Sequence, residues 1–425
     1  MNEPKQPKVI QVFEHERLTL TPDGFGRFLL PKQLDALYAF NDKNGHKYFT
    51  GIRSGVKFTS YVGVIQIGKL IIEILPKADK EAIRSTEELN QGAKKWQSVL
   101  LTMLKQTNSL QLESLTDAAL KRRNNSLLDL YFETYINELN RLVRQGLVKK
   151  YRKEQGNQLA LKGRLDFTKN IQQNIIHKER FYVHYTTYDQ DHFLIKSLYA
   201  ALLVLEQIDS AGKFGDAIKR LKLSFPEFTN SNINTSKLES FKFNRKTEGY
   251  KKAYQIAKML LLNYSPTITT GRENMLALLF DMNALWERYV LKQLKLTDQN
   301  EYNIKGQSSK LFWQAENVNR TIRPDIVLES ISEPKETIII DTKWKIVEAL
   351  NPSDDDLKQM FAYNKYWGAN KSVLLYPWVG QNEKGFGDFV IDEEGRNQCK
   401  LGFVSVLNDK STLNQHIGLE IMDKL

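Results

Sequence analysis

The chain has 425 residues, enough for two or three domains that each bury a core of their own. Lys and Arg number 61 against 50 Asp and Glu, a formal net charge of +11 that suits a polyanionic partner. The single cysteine, Cys399, excludes an internal disulfide framework and any Cys-rich zinc site, and no apolar run approaches the ~20 residues of a membrane span.

The opening residues, MNEPKQPKVIQVFEHERL, lack the apolar core of a signal peptide, so a soluble cytoplasmic protein without a membrane partner is expected. From Val9 to about Pro76 short alternating runs (VIQVF, RLTL, KYFTGI, VKFTSYVGVI, KLIIEIL) are punctuated by glycines, the pattern of a small barrel or strongly curved sheet, with one helix over Lys32 to Phe40. Residues 80–90 are polar and lead out of that module.

Helical periodicity follows, with helices expected over Lys94 to Leu104 and Ser126 to Leu147. Between Arg141 and Arg180 eleven Lys or Arg stand against three acids. Lys149, Lys150, Arg152 and Lys153 lie together, and Lys162 and Arg164 follow within LKGRLDF. Such a cluster is either a solvated face or a sequence-independent grip on DNA phosphates. Gly163 permits a tight turn there, and Arg164 can pair with Asp166 or with a more distant carboxylate. YVHYTTY (Tyr182 to Tyr188) reads as a strand, and Asp191 to Gln207, Ala211 to Leu223 and Tyr250 to Leu262 as helices. Thr229 to Ser236 reads as a loop.

The last third carries the chemistry. A long helix is expected over Asn274 to Leu296, with Glu287 on its polar side, and an edge strand over Leu311 to Val318. RPDIVLE (Arg323 to Glu329) and TIIIDTKWK (Thr337 to Lys345) are two branched apolar runs separated by a polar turn with Pro334, hence paired antiparallel strands. Strand alternation places Asp341 and Lys343 on one face, and pairing brings Asp325 beside them. Two carboxylates offer hard oxygen ligands to Mg²⁺, with Mn²⁺ able to substitute, and the lysine steadies an attacking water or developing charge. The bland alternative is a hairpin with solvated charges.

In DLKQMFAYNKYW, Gln359 and Tyr363 stand four apart on one helix face. Asp354, Asp355 and Asp356 read as charges favourable to that helix's dipole. SVLLYPW (Ser372 to Trp378) and KLGFVSVL (Lys400 to Leu407) read as further strands. The six histidines are scattered without metal-ligand spacing, and no Gly-x-x-x-x-Gly-Lys-Ser/Thr occurs, so no nucleotide is expected on this chain.

The Pro-Asp, the Asp-x-Lys strand and the Gln-x-x-x-Tyr helix resemble the PD-(D/E)xK nuclease core, in its RecB-like branch. That resemblance implies catalytic roles for Asp325, Asp341, Lys343, Gln359 and Tyr363, with Glu287 as a third metal carboxylate. YVGVIQIGKLIIEILPK (Tyr61 to Lys77), LKGRLDF and LFDMNALWERYV (Leu279 to Val290) are similar to stretches of the McrC family, the nuclease subunits of McrBC restriction systems directed at 5-methylcytosine. The resemblance implies a Mg²⁺-dependent endonuclease in phage defence that cuts double-stranded DNA and docks on a hexameric McrB-like AAA+ GTPase, which it stimulates. The expected fold class is multidomain α+β: a β-barrel-like partner-binding domain over 1–80, a mainly helical basic region over 81–264, and an α/β restriction-endonuclease-like core over 265–425. A non-catalytic adaptor that activates a ring and clamps DNA, and a stand-alone repair or defence nuclease, are the alternatives.

Overall fold

The apolar runs of the C-terminal third form a six-stranded sheet in the order Tyr302–Gly306, Ile326–Ser330, Thr337–Thr342, Lys371–Pro377, Gln398–Val404 and Gly387–Asp388. This computed structural model describes residues 6–79, 84–107, 127–209, 212–228, 233–265, 274–298, 300–316, 318–347, 351–381, 385–390 and 397–425. Ile326–Ser330 and Thr337–Thr342 pair antiparallel, as expected, with Ile326 opposite Ile340. Thr337–Thr342, Lys371–Pro377 and Gln398–Val404 then run parallel, which explains their unbroken hydrophobicity: strands covered on both faces carry no polar alternation.

The crossover between the first two parallel strands contains the helix Asp354–Trp367. Ser353 caps its start, accepting from Asp356 N at 3.2 Å, and Gly368 ends it in the left-handed conformation at φ 64°. Met360 and Tyr363 on this helix pack with Ile339, Leu374, Tyr376 and Phe403 of the sheet. Cys399 lies buried in the same cluster.

The stretch expected as one helix from Asn274 splits in two. Met275–Asp281 is a strand and Met282–Thr297 a helix, with the Asp281 carboxylate accepting from Asn283 N at 2.9 Å as the cap between them. A continuous apolar run such as MLALLF fits a buried strand and a buried helix alike, so periodicity alone could not place the break. The edge strand expected over Leu311 to Val318 is present as Lys310–Ala315 and ends short of Val318. Lys310–Ala315 joins no large sheet but pairs with Val318–Ile322 as a separate two-stranded ribbon.

The N-terminal strands do not close into a barrel among the described residues. Val9–Phe13 runs parallel to Leu70–Leu75, which is antiparallel to Tyr61–Ile67 on its other side. Arg17–Thr19, Gly55–Phe58 and Phe49–Ile52 form a separate three-stranded antiparallel sheet. Glycine punctuation predicts turns, but closure depends on which strands pair, and here they are divided between two sheets. The helix Pro31–Lys43 starts on a proline and ties to the small sheet through Tyr38, whose hydroxyl reaches Ile52 O and Gly55 O at 3.0 and 2.8 Å.

The chain divides into two units: residues 1–127, 271–273 and 279–425 in one, and 128–270 with 274–278 in the other. The first includes the helix Thr86–Gln106, which begins earlier than expected, on a Ser85 cap. Residues 80–83 and 108–126 lie outside the described residues, so Ser126 does too. The second unit contains the helices Leu127–Gln145 (from Leu128 onward), Phe193–Ile208, Gly215–Leu223 and Lys251–Asn263. Residues 229–232 of the expected loop fall outside the description, and Thr235–Glu239 is a short helix. A three-stranded sheet of Lys150–Gln158, Phe181–Asp189 and Arg164–Leu165 joins these helices, so YVHYTTY is a strand. Gly163 has φ +77°, and a side chain there would collide with His184 O, which is why a glycine opens this turn. No described helix is long and apolar enough to cross a membrane.

Candidate active site

Continuing the antiparallel register by one step beyond Ile326 and Ile340 sets Asp325 opposite Asp341. Asp325 Oδ2 accepts from Thr342 N at 2.7 Å and from Thr342 Oγ1 at 2.8 Å, which locks its carboxylate to the neighbouring strand. Asp341 is 2 % exposed. Its Oδ2 meets Lys343 Nζ at 2.7 Å, although among the described residues no donor is aligned with that oxygen as a hydrogen bond.

Burial raises both carboxyls. Asp341 is pushed up to about 6, first by burial and then by the Asp325 charge, against the lowering effect of Lys343. Asp325 is raised by burial too, though its bonds from Thr342 oppose the rise. Burial would lower the Lys343 ammonium, yet the Asp341, Asp356 and Asp325 charges outweigh it and hold its pKa above the ordinary lysine value. Lys343 is therefore a cation at neutral pH, able to donate hydrogen bonds and stabilise negative charge but unsuited to take a proton.

The helix Asp354–Trp367 supplies the next layer. Lys343 Nζ donates to Gln359 Oε1 at 3.3 Å, Gln359 Nε2 to Tyr363 Oη at 2.6 Å, and Tyr363 Oη to Arg323 O at 2.9 Å. This relay connects the lysine to the chain just before Asp325. Asp356, read from sequence only as a dipole charge, sits 3.4 Å from Lys343 Nζ and 2.6 Å from Lys345 Nζ. Burial would raise its carboxyl, but bonds from Lys345 and Ser353 and the Lys343 charge hold it below its ordinary value. The signal for it was present: Asp356, Gln359 and Tyr363 follow the i, i+3, i+7 spacing of one helix face.

Glu287 projects from the helix Met282–Thr297, whose Trp286 and Tyr289 are buried. Gln307 Nε2 donates to Glu287 Oε1 at 2.9 Å, and burial, then the Asp325 and Asp341 charges, raise its carboxyl. Of the residues expected in the nuclease site, Asp325, Asp341, Lys343, Gln359 and Tyr363 are thus brought together, and Glu287 is near enough to feel the Asp325 and Asp341 charges without forming the expected three-carboxylate cage with them. Thr342, Asp356 and Gln307 were not foreseen.

Among the described residues no three Asp, Glu, His or Cys side chains converge as a ready-made metal cage. Mg²⁺ does not require one, since it commonly takes one or two carboxylates and completes its octahedron with water and phosphate oxygens. The buried Asp341 and the half-buried Asp325, faced by one lysine, supply the hard oxygen donors that such an ion takes.

The basic cluster is divided. Along Lys150–Gln158 alternate residues point to opposite faces, so Lys149, Tyr151 and Lys153 are exposed while Lys150 and Arg152 are partly covered. Arg152 is engaged by Glu154, Asp189 and Asp191 at 2.7, 3.1 and 3.1 Å. Lys150 lies over Phe241 and Lys162 over Tyr185. Arg164 is exposed, and Asp166 caps the helix Phe167–Asn174 through Lys169 N at 3.1 Å and meets His184 Nε2 at 3.1 Å.

The chain is similar over 98% of its length, and over 100% of the other chain, to one in a structure described as a refined half-complex from a tetradecameric assembly of Thermococcus gammatolerans McrB AAA+ hexamers with bound McrC, at 17% identity and a TM-score of 0.69. A second structure, of the Thermococcus gammatolerans McrBC complex, has 18% identity over 70% of this chain and 89% of the other, with a TM-score of 0.49. No curated protein sequence matches significantly. The profile of the family described as McrBC 5-methylcytosine restriction system component matches residues 56–377, well over half of the 425, and the chain therefore belongs to the McrBC family.

Proposed function

We propose that this protein is the DNA-cutting subunit of an McrBC-type restriction system, a PD-(D/E)xK endonuclease that hydrolyses phosphodiester bonds with Mg²⁺. The observation that carries the reading is Asp325 set opposite Asp341, with Lys343 Nζ 2.7 Å from Asp341 and joined to Gln359. A bare DNA clamp has no use for two adjacent acids, because carboxylates repel phosphate.

Asp325 and Asp341 would hold the ion, with Glu287 as an additional acid beside them. Bound there, Mg²⁺ supplies Lewis acidity at a phosphate oxygen and a more acidic water. Lys343, kept cationic, orients the attacking water and offsets charge on the phosphorane-like transition state. Thr342 fixes the Asp325 rotamer, and Gln359 and Tyr363 keep Lys343 from swinging away. Asp356 also holds Lys343, 3.4 Å from its Nζ, while Lys345 balances the Asp356 charge.

The likeness over 98% of this chain to a chain of an assembly of McrB AAA+ hexamers with bound McrC, together with membership of the McrBC family, supports a ring-docking role for this chain, with an McrB-like AAA+ GTPase as partner. The N-terminal strands expected to dock bury Val12, Val64, Ile72 and Ile74, each at most 1 % exposed, and so hold that region in shape for docking. The second unit also leaves apolar side chains outside, where Leu159, Phe167, Ile171 and Ile176 are 77, 72, 63 and 84 % exposed. Exposed apolar surface on this scale marks an interaction site, and we infer that it adds to the docking surface of the N-terminal region.

Cleavage of methylated DNA by the Asp341→Ala chain, assayed with its ring partner, tests the nuclease reading. Loss of cutting with retained stimulation of the partner's GTPase is expected. Cutting at the wild-type rate would remove Asp341 from the chemistry and the reading with it.

A further inference from the structure

The ribbon formed by Lys310–Ala315 and Val318–Ile322 is anchored to the candidate active site at both of its ends. Before it, Gln307 N donates to Asp325 O at 2.8 Å and its side chain holds Glu287. After it, Arg323 O accepts from Tyr363 and Arg323 leads directly into the Pro-Asp of the carboxylate pair. The ribbon also braces on the helix that carries Gln359. Lys310 Nζ donates to Tyr366 O at 2.7 Å, Tyr366 Oη donates to Phe312 O at 3.2 Å, and the Phe312 and Tyr366 rings lie 5.5 Å apart.

Its composition does not match its surroundings. Leu311, Phe312, Trp313 and Val318 are 50, 47, 51 and 44 % exposed, and both strands are open to solvent on both faces for most of their length. Phe312 has a packing partner in Tyr366, but a ribbon this open has little folding reason to place Trp313 beside it. The register breaks between Leu311 and Trp313, so Phe312 stands at a bulge, a feature that re-aims side chains near functional sites. Lys310, Arg320 and Arg323 accompany the apolar residues, against Glu316 as the single acid among the described residues of 310–323.

We propose that this ribbon is a DNA-engaging element that enters a groove of the duplex beside the scissile phosphate, with Phe312 and Trp313 against the bases and Arg320 and Arg323 on the backbone. The inference rests on the nuclease reading above and deepens it. A groove of B-form DNA admits a two-stranded β-ribbon, and apolar side chains at a groove floor pack on base edges or wedge between base steps. The excess of cations matches the phosphate walls on either side. Because the ribbon is fixed to Asp325, Glu287 and the Gln359 helix, its seating in the groove sets the distance from the bases to the carboxylates.

The full chain carrying Asp341→Ala, which does not cut, is titrated with a fluorescein-labelled 30-base-pair duplex while anisotropy and tryptophan emission are followed. The same is done with Phe312→Ser/Trp313→Ser and with Trp313→Phe added, and cleavage by chains with intact Asp341 is measured in parallel with the ring partner. Both rings are half-exposed, and native far-ultraviolet circular dichroism of each variant is the control for its folding. Base contact predicts that the duplex quenches emission, that Trp313→Phe removes most of the quenching, and that the double variant binds about tenfold or more weakly, as expected when stacking contacts are lost. Equal affinity and equal quenching, with cleavage by the intact chain normal, would overturn the ribbon's role and leave the nuclease reading standing. Failure of the intact chain to bind or cut at all would overturn both. Loss of self-association or of GTPase stimulation in the double variant, with DNA affinity unchanged, would assign the ribbon to a second copy or to the ring and refute the proposal.

Discussion

Replacing Glu14 by Gln should raise the stability of the first unit above neutral pH and flatten its pH dependence. Glu14 lies just past the first strand, its side chain 4 % exposed, and its Oε1 accepts from Trp344 Nε1 at 2.7 Å and Lys77 N at 2.9 Å. Oε2 has no hydrogen-bond partner among the described residues, and the His15 ring is 3.9 Å away. Burial pushes the carboxyl up from 4.5 to about 7, against the lowering effect of those two donors. The folded state thus holds a proton that the unfolded chain releases near pH 4.5. Stability from this group is complete below pH 4.5 and is lost as pH rises through 7. The gap between the two values corresponds to ~3 kcal/mol. Gln keeps an acceptor for Trp344 and Lys77 and has no charge to bury. Urea unfolding of both proteins between pH 5 and 8.5, followed by tryptophan emission, isolates the group by difference. The curves should nearly coincide at pH 5 and diverge in favour of Glu14→Gln by ~2–3 kcal/mol at pH 8.5. Parallel curves across the range would show that Glu14 ionises in the folded state without cost, and the burial argument would fail.

Three further outcomes follow from the same geometry. Asp356→Asn should lower the cleavage rate by roughly 10- to 100-fold, the usual cost of losing a group that orients a ligand or catalytic side chain, while DNA affinity measured by anisotropy stays unchanged. Gly163→Ala forces a side chain onto His184 O at φ +77° and should destabilise the second unit by ~1–3 kcal/mol, read as a lower urea midpoint. Asp281→Ala removes the cap between the strand Met275–Asp281 and the Glu287 helix, for a loss of ~1 kcal/mol in the same measurement on the first unit.

The parts of the site that the sequence disclosed are those written in local periods. The alternation of TIIIDTK and the four-residue spacing of Gln359 and Tyr363 are enough to place Asp341, Lys343 and that pair, because a strand or helix fixes its own faces. What stayed hidden depends on partners far along the chain. The Glu14 and Trp344 side chains meet across 330 residues, and nothing in either neighbourhood announces the other. The same holds for the N-terminal strands, whose turns were visible but whose division between two sheets was not. Asp356 was overlooked for another reason: a first-turn aspartate has a sufficient local explanation in the helix dipole, which masked its ion pairs with Lys343 and Lys345. The edge strand in the ribbon was legible, but its exposure on both faces is a property that sequence pattern cannot report.

The claim on which the account turns is that Asp325 and Asp341 together hold a divalent ion beside Lys343. Titration of the full chain with Mn²⁺, followed by electron paramagnetic resonance of the free ion, measures this without any cutting. Binding that Mg²⁺ displaces, and that both Asp325→Asn and Asp341→Asn abolish while the proteins keep their native far-ultraviolet circular dichroism, is the result predicted. Undiminished binding in both folded variants would place the ion elsewhere and contradict the site.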